Sequence, residues 1–310
     1  MKYDVVLCTF NGELFIEEQI ISILSQKYKP ECIYIGDDGS DDKTIKLVIA
    51  ILKEWRVEYK ITLNKERLGY AKNFINQLLL CKSNIIFLSD QDDVWVPNKI
   101  EIFEHSISQY KDAQLFFSDA YITDGALNEI ESSLWDILKI PKKRVIKYKD
   151  GLDKRFYVTG ATTAVRKSLL SLPCIKAMPN SVPHDGWLSI VASLTGGVVP
   201  IREKLILYRQ HGDNLLGIRS KSLWAGYSDY LNGVKRHKRI DGIKGRIQVL
   251  NTLIGCGLLD KNDAYLQLNF YALVLEGLNK RLWSRITLLS LYKKYKSFDN
   301  VRSLFWDLLI

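Results

Sequence analysis

Asn84-Ile85-Ile86-Phe87-Leu88-Ser89-Asp90-Gln91-Asp92-Asp93 joins an apolar run to an acidic one. A short apolar run bounded by turn formers reads as a strand buried on both faces, and here the carboxylates begin where the strand ends. Toward the N-terminus the same arrangement occurs twice more. Val5-Val6-Leu7-Cys8 runs into Thr9-Phe10-Asn11-Gly12, and Ile33-Tyr34-Ile35 leads to Asp37-Asp38-Gly39-Ser40-Asp41-Asp42. Between these runs apolar residues recur at helical spacing: Phe15, Ile16, Ile20, Ile23 and Leu24, then Ile45, Val48, Ile49, Leu52 and Trp55. The spacing predicts a third strand over 59–63 and a third helix over 70–80, with Phe74, Ile75, Leu78 and Leu79 turned inward. Alternating strands and helices predict an α/β fold, a mostly parallel sheet flanked by helices. Ligands of such sheets sit beyond the carboxyl ends of the strands, where this chain is unusually acidic.

Downstream, 114–117 reads as a fifth strand, 118–153 is irregular, and strand-like patterns return over 156–166 and 197–208 before Arg209-Gln210-His211-Gly212. From residue 216 the character changes to helical spacing, through Trp224, Tyr227, Tyr230 and Leu231, then Leu250, Leu253 and Ile254, then Leu278, Leu282, Ile286, Leu289 and Tyr292. Charge divides at the same point. The net charge of +9 belongs entirely to 216–310, with 16 basic and 7 acidic residues, while 1–215 has 28 of each. Two parts are expected: a catalytic domain over 1–215 and a basic helical region over 216–310.

Several classes can be excluded. The longest apolar runs fall far short of the roughly 20 residues a membrane-spanning helix needs. Asp4 and the short apolar run after it read as a first strand rather than a secretion signal, so a cytoplasmic location is expected. The five cysteines, Cys8, Cys32, Cys81, Cys174 and Cys256, lie far apart and read as buried thiols. Neither G-x-G-x-x-G nor G-x-x-x-x-G-K-[ST] occurs, which disfavours a dehydrogenase or P-loop enzyme.

The acidic motifs have both a chemical and a structural reading. Asp90-x-Asp92 supplies two hard oxygen ligands that can hold a divalent cation against a diphosphate; alternatively, Asp92 or Asp93 caps a helix starting near Val94-Trp95-Val96-Pro97. Asp37-Asp38-Gly39-Ser40 is ordinary turn chemistry, and Asp41 or Asp42 suits a helix cap. Beside Phe10, however, those carboxylates could accept the imide N–H of a base stacked on the ring. Asp185 is a suitable general base for a hydroxyl, or simply a first-turn acid pairing with a helix dipole. Trp95 and Trp187 read either as sugar-stacking platforms for an acceptor or as core.

Taken in order, Thr9-Phe10-Asn11-Gly12, Asp37-Asp38-Gly39-Ser40-Asp41, Asn64 with Gly69 and Asn73, Ser89 to Trp95, His184-Asp185-Gly186-Trp187 and Tyr208-Arg209-Gln210-His211-Gly212 resemble the family 2 glycosyltransferases of the GT-A fold, within them the bacterial rhamnosyltransferase-like group. The resemblance covers 1–217. It implies a nucleotide-sugar site made by Thr9, Phe10, Asn11, Asp37, Asp38, Asn73, Asp90 and Gln91, with Phe10 on the base and Asp38 or Asp37 at its imide edge. Asp90 and Asp92 would flank Mg2+ or Mn2+, with His211 a further ligand. Asp185 occupies the position of the catalytic base, next to His184 where many relatives carry Glu, so the division of labour between the two is open. Arg67 and Lys72 are either phosphate contacts or solvated side chains.

These expectations define an inverting transferase. It would take rhamnose from dTDP-rhamnose, or next a hexose from a UDP-sugar, to a saccharide acceptor on a polyprenyl diphosphate, in surface polysaccharide synthesis. The alternative is a non-catalytic homologue that keeps the nucleotide pocket as a binding or assembly subunit. The basic C-terminal region suits an anionic membrane surface at the inner face of the cell membrane. It could equally be a solvated face or a homodimer interface, and without a recognised module no nucleic-acid partner is expected.

Overall fold

The computed structural model describes residues 1–131, 133–138, 140, 143–148, 158–211 and 234–279. Two compact units are present, one of Met1–Lys176 with Pro183–Gly217 and the other of Ala177–Val182 with Ile218–Ile310.

The first unit is built on one sheet. Strands β1 (Tyr3–Thr9), β2 (Cys32–Asp37), β3 (Tyr59–Leu63) and β4 (Ile85–Ser89) run parallel in the order β3-β2-β1-β4. Every residue of β1, β2 and β4 is buried, as a run of apolar side chains covered on both faces requires. Helices α1 (Ile16–Leu24), α2 (Thr44–Glu54) and α3 (Tyr70–Leu80) make the crossovers, and α1 buries Ile16, Gln19, Ile20, Ile23 and Leu24. Gly36 admits α3 closely. A Cβ there would lie 2.2 Å from Asn73 Oδ1, whose amide nitrogen donates to the Gly36 carbonyl at 2.7 Å.

Beyond β4 the sheet becomes mixed. The path continues through β8 (Thr163–Arg166), β6 (Leu115–Thr123), β9 (Val198–Arg209) and β5 (Val94–Trp95), with β7 (Glu129–Glu131) paired to β6. β8 is antiparallel to both β4 and β6, whereas β6 and β9 are parallel. Helices α4 (Lys99–Gln109), α5 (Leu134–Leu138), α6 (Lys167–Leu170) and α7 (His184–Thr195) complete the unit.

One expectation is corrected here. No helix starts near Val94: Val94 and Trp95 pair with Leu207 and Ile206 of β9, and α4 begins only at Lys99. Pro97 disfavours a helical Val96, and the Asp93 carboxylate is already taken by the Arg209 backbone N–H, so neither Asp92 nor Asp93 caps α4. Asp42 does serve the start of α2, accepting from the Thr44 N–H at 2.9 Å.

In the second unit α8 (Val234–Gly255) and α9 (Lys261–Asn279) share an apolar seam of Ile243, Leu250, Ala264, Phe270, Tyr271 and Val274. Arg246 donates to the Tyr271 hydroxyl across it at 3.1 Å. Trp224, Tyr227, Tyr230, Leu231, Leu282, Ile286, Leu289 and Tyr292 lie outside the described residues, as do the side chains of Leu278 and of the 235–238 basic cluster. Among the described residues no helix is long and apolar enough to cross a membrane.

Candidate active site

Two acidic loops and a helix start meet at the carboxyl edge of the sheet. In the first loop, Asp37 is 2 % exposed and its carboxylate is saturated: Oδ1 accepts from Thr9 Oγ1 and Ser40 Oγ, and Oδ2 from the Gly39 and Ser40 N–H groups. Asp38 uses three of its four acceptor positions, taking the Leu68 and Gly69 N–H groups and the Asn64 amide. These bonds fold the 64–69 segment against β2. Asn11, at φ 47°, closes the turn by accepting the Asp41 N–H and donating its own N–H to Ser40 Oγ. The Phe10 backbone is clamped on both sides by the Gln91 amide, at 2.8 and 3.0 Å, and the Arg67 guanidinium lies 3.7 Å above the Phe10 ring.

The 90–93 loop is less settled. Asp92 meets His211, Oδ2 to Nε2, at 2.8 Å, and its carbonyl accepts Arg209 Nε at 2.7 Å. Asp93 Oδ1 takes the Arg209 N–H, while its buried Oδ2 has no partner among the described residues. Burial and the neighbouring Asp92 and Asp185 charges push the Asp90 carboxyl up to about 7, and burial followed by Asp92 and Asp90 drives Asp93 well above the ordinary carboxylate range. Three carboxylates gathered in a low-dielectric pocket cannot all ionise cheaply.

Two buried basic side chains stand near this loop, and Arg209 bonds it directly. Arg209 donates from its terminal nitrogens to the Gly125 carbonyl and to Glu18, and its guanidinium lies 4.6 Å from the Phe15 ring, which also packs on His211. Lys99 is fully buried, its Nζ 3.9 Å from the Trp95 ring and donating to the Ala161 carbonyl at 3.2 Å. Burial holds its pKa well below the usual lysine range, against the opposing pull of Asp93 and Asp90.

The helix start is the first turn of α7. Asp185 is half-buried, with Oδ2 accepting the Gly160 N–H at 2.9 Å and Oδ1 its neighbour Gly186 N–H at 2.7 Å. His184 faces the other way. It is 3 % exposed, stacked on Phe74 with centroids 4.2 Å apart, and neither ring nitrogen has a hydrogen-bond partner among the described residues. Burial lowers its pKa, so the ring stays neutral. A Cβ at Gly160 would come within 2.8 Å of His184 Nε2, which explains a glycine at that turn.

Thr9, Phe10, Asn11, Asp37, Asp38, Gln91, Asp90, Asp92, His211 and Asp185 are thus brought to one edge. Four expectations are corrected. Trp187 is 0 % exposed and donates its indole N–H to the Cys174 carbonyl, and Trp95 is 3 % exposed among Phe87 and Lys99, so neither offers a face to a sugar. Asn73 is 1 % exposed, with its amide spent on Gly36 and Asn64, and therefore packs α3 rather than reaching a ligand. Asp37 has no acceptor position left for a base. His184 is sealed beneath the site and has no access to a reacting hydroxyl. Sequence reasoning missed Arg209 and Lys99. Arg209 lay inside the Tyr208–Gly212 motif, but Lys99 has the pattern of any first-turn lysine, and only the tertiary fold buries it.

The donor set suits a divalent cation. Asp90 and Asp92 supply hard oxygens, His211 a borderline nitrogen, and the mutual repulsion of Asp90, Asp92 and Asp93 is what a bound cation would relieve. Among the described residues no three His, Cys, Asp or Glu side chains are gathered as a metal site, so a cation here would take most of its ligands from diphosphate oxygens or water.

The sequence and the fold correspond to known proteins. Residues 4–171 match the family described as Glycosyl transferase family 2, more than half of the chain, and the protein belongs to that family. It is 37% identical over 103 residues to the dTDP-rhamnosyl transferase RfbG of Shigella flexneri, a match covering 31% of this chain and only 34% of the relative. S. aureus TarS 1–349 in complex with UDP-GlcNAc superposes with a TM-score of 0.57 at 16% identity, covering 98% of this chain and 90% of that one. The mannosyltransferase PcManGT from Pyrobaculum calidifontis, in complex with GDP-Man and Mn2+, gives 0.50 at 15% identity over 99% and 85%. The fold is GT-A.

Proposed function

We propose that the protein is an inverting glycosyltransferase that moves a sugar from a nucleotide-diphosphate donor to a saccharide hydroxyl. The observation that carries this reading is the meeting of the 90–93 loop with the start of α7 at one sheet edge: Asp92 meets His211 at 2.8 Å, and Asp185 accepts the Gly160 N–H at 2.9 Å, next to the Ala161 carbonyl that binds buried Lys99. Breaking a sugar–phosphate bond leaves negative charge on the diphosphate, and inversion needs a base on the opposite face of the sugar.

Phe10 and the remaining acceptor position of Asp38 would hold the base, with Arg67 moved from or closing over the ring. Gln91 fixes the Phe10 backbone for that contact. Asp92, His211 and Asp90 would hold Mg2+ or Mn2+, which when bound neutralises charge on the departing diphosphate. Asp185 takes the acceptor proton on its carboxylate while the Gly160 and Gly186 N–H groups orient it. Arg209 keeps the 90–93 loop in place, and His184 packs under Asp185.

The donor we infer is dTDP-rhamnose, supported by the likeness to RfbG, with UDP-hexoses next, supported by the TarS fold. The acceptor would be a polyprenyl-diphosphate-linked saccharide of a surface polysaccharide. Charge alone supports placing 216–310, as a separate basic region, on the anionic inner face of the cell membrane, with homodimerisation its rival role. The test is transfer by wild type and Asp185→Asn across dTDP- and UDP-sugars: the variant should lose about 10²–10⁴ in rate with donor binding unchanged. Equal turnover by the two proteins would remove Asp185 as the base.

A further inference from the structure

Lys99, the first residue of α4, is sealed from solvent with its amine 3.9 Å from the Trp95 ring, 5.7 Å from Phe103 and 6.0 Å from Phe87. Among the described residues the amine makes one hydrogen bond, to the Ala161 carbonyl at 3.2 Å. Taking an amine out of water for a single neutral acceptor costs stability, and a methionine of nearly the same length would fill the same apolar space without that cost. Packing rules broken in this way are expected where a site needs the group.

The acceptor of that bond belongs to the turn that orients Asp185. Gly160–Thr162 form a single turn of 3-10 helix leading into β8, whose Ala164 pairs with Phe87 of β4, so the turn lies beside the strand end from which the 90–93 loop departs. Bonds inside the turn hold its shape: the Thr159 carbonyl accepts from the Thr162 N–H at 3.0 Å, the Thr162 hydroxyl at 2.7 Å and the Thr163 hydroxyl at 3.0 Å. Two other backbone groups reach side chains elsewhere in the chain. The Gly160 N–H donates to Asp185 Oδ2 at 2.9 Å, and the Ala161 carbonyl, one residue on, accepts from Lys99. The first bond aims the carboxylate, and the second ties the turn to α4. Because α4 follows the 90–93 loop and β5 along the chain, that tie runs from the metal side of the site to the base side.

We propose that Lys99 is a positioning residue for the base: by holding the Ala161 carbonyl, its amine fixes the Gly160 N–H that orients the Asp185 carboxylate, and so sets where that carboxylate stands relative to the 90–93 loop. This deepens the reading of Asp185 above and rests on it. Direct displacement needs base, hydroxyl and leaving group in register, and a misplacement of about 1 Å can cost about a hundredfold in rate. The role therefore predicts slower turnover with donor binding intact. A brace on the 90–93 loop would instead show itself in metal-dependent nucleotide binding.

The test compares the full chain as wild type, Lys99→Met and Lys99→Gln, the last keeping an N–H donor on a shorter stem. It reads hydrogen exchange of the 159–163 amides, the Kd of dTDP and of UDP in Mn2+, and nucleotide release from dTDP-rhamnose and UDP-glucose with water or free monosaccharides as acceptor. The melting temperature of Lys99→Met should stay close to wild type, since the hydrogen bond lost is offset by an amine no longer desolvated. Exchange over 159–163 should quicken about tenfold while β6 is unchanged. The kcat should fall about 10–100-fold, with donor KM and nucleotide Kd within about twofold of wild type. Lys99→Gln should recover part of both effects, and it carries the same comparison if the methionine variant does not fold. Unchanged exchange over 159–163, or an unchanged kcat against an active wild type, overturns the role and leaves Asp185 as base. Weakened Mn2+-dependent nucleotide binding also overturns it, because Lys99 would then serve the 90–93 loop. If wild type releases nucleotide from neither donor, the transferase reading fails and takes the role with it.

Discussion

Asp37 ends β2 and Asp90 follows β4 at the same sheet edge, with β1 between the two strands, yet they are opposite kinds of carboxylate. Asp37 accepts four internal hydrogen bonds and is finished as a turn; Asp90 is pushed up to about 7 by burial and by two other acids. Both loops are acidic in sequence and both follow a buried strand. What separates them is the supply of donors: the 37–42 loop has Thr9, Ser40 and two backbone N–H groups around its carboxylate, whereas the 90–93 loop has acids around acids. Satisfied carboxylates stabilise a fold, and crowded ones cost stability that a ligand can return.

The contrast is sharpest if the two loops are broken in turn. Asp92→Ala should weaken Mn2+-dependent nucleotide binding at least about a hundredfold, since a metal ligand matters more than the groups that merely orient such ligands, whose loss already costs about 10–100-fold. Its melting temperature should hold or rise, because repulsion is removed. Asp37→Ala should do the reverse to the fold. Stranding the Ser40 and Gly39 N–H groups and Thr9 Oγ1 should cost about 2–3 kcal/mol, read as a lower midpoint in urea with an unchanged slope.

The pH response divides the loops again. Asp90 has a native pKa above its unfolded value, so the native state holds more protons between about pH 4 and 7. The Asp90 contribution to the stability of the metal-free protein, read as wild type against Asp90→Asn, should therefore fall as pH rises through that window and level off above 7. Mn2+ affinity should move the opposite way, strengthening by up to about tenfold per pH unit until Asp90 is ionised. Thermal melts and metal titrations at pH 5, 6, 7 and 8 read both trends. A wild-type stability relative to Asp90→Asn that climbs from pH 5 to 7 would mean that Asp90 is not crowded. The smallest effect is expected from Ser40→Ala, which leaves Asp37 three donors and should cost about 1 kcal/mol in the same urea assay.

The β-α repeat through residue 89 was legible because each element carries its own signal: β1, β2 and β4 are buried strands built on short apolar runs, β3 alternates polar and apolar residues, and α1 to α3 keep an inward face at helical spacing. The antiparallel β8 and the two-residue β5 were not, since their pairing partners lie far along the chain and no local pattern encodes direction. For the site, spacing located the acidic loops but could not say which carboxylates were already satisfied. Asp37 and Asp90 read alike until the donors around them are known. Trp95 and Trp187 failed as surface aromatics for the same reason, as burial is decided by what packs above a residue. Lys99 shows the limit most clearly, an ordinary helix-start lysine in sequence and a fully buried amine in the fold.

If the 90–93 loop is left unsatisfied because it is built for a cation and a diphosphate, nucleotide binding has to depend on both the metal and the loop. Calorimetric titration of wild type and Asp92→Ala with dTDP and UDP, each with and without Mn2+, tests this directly. The predicted result is binding of at least one nucleotide that requires Mn2+ and is lost in the variant. Nucleotide binding of equal strength with and without Mn2+, and in both proteins, would contradict it.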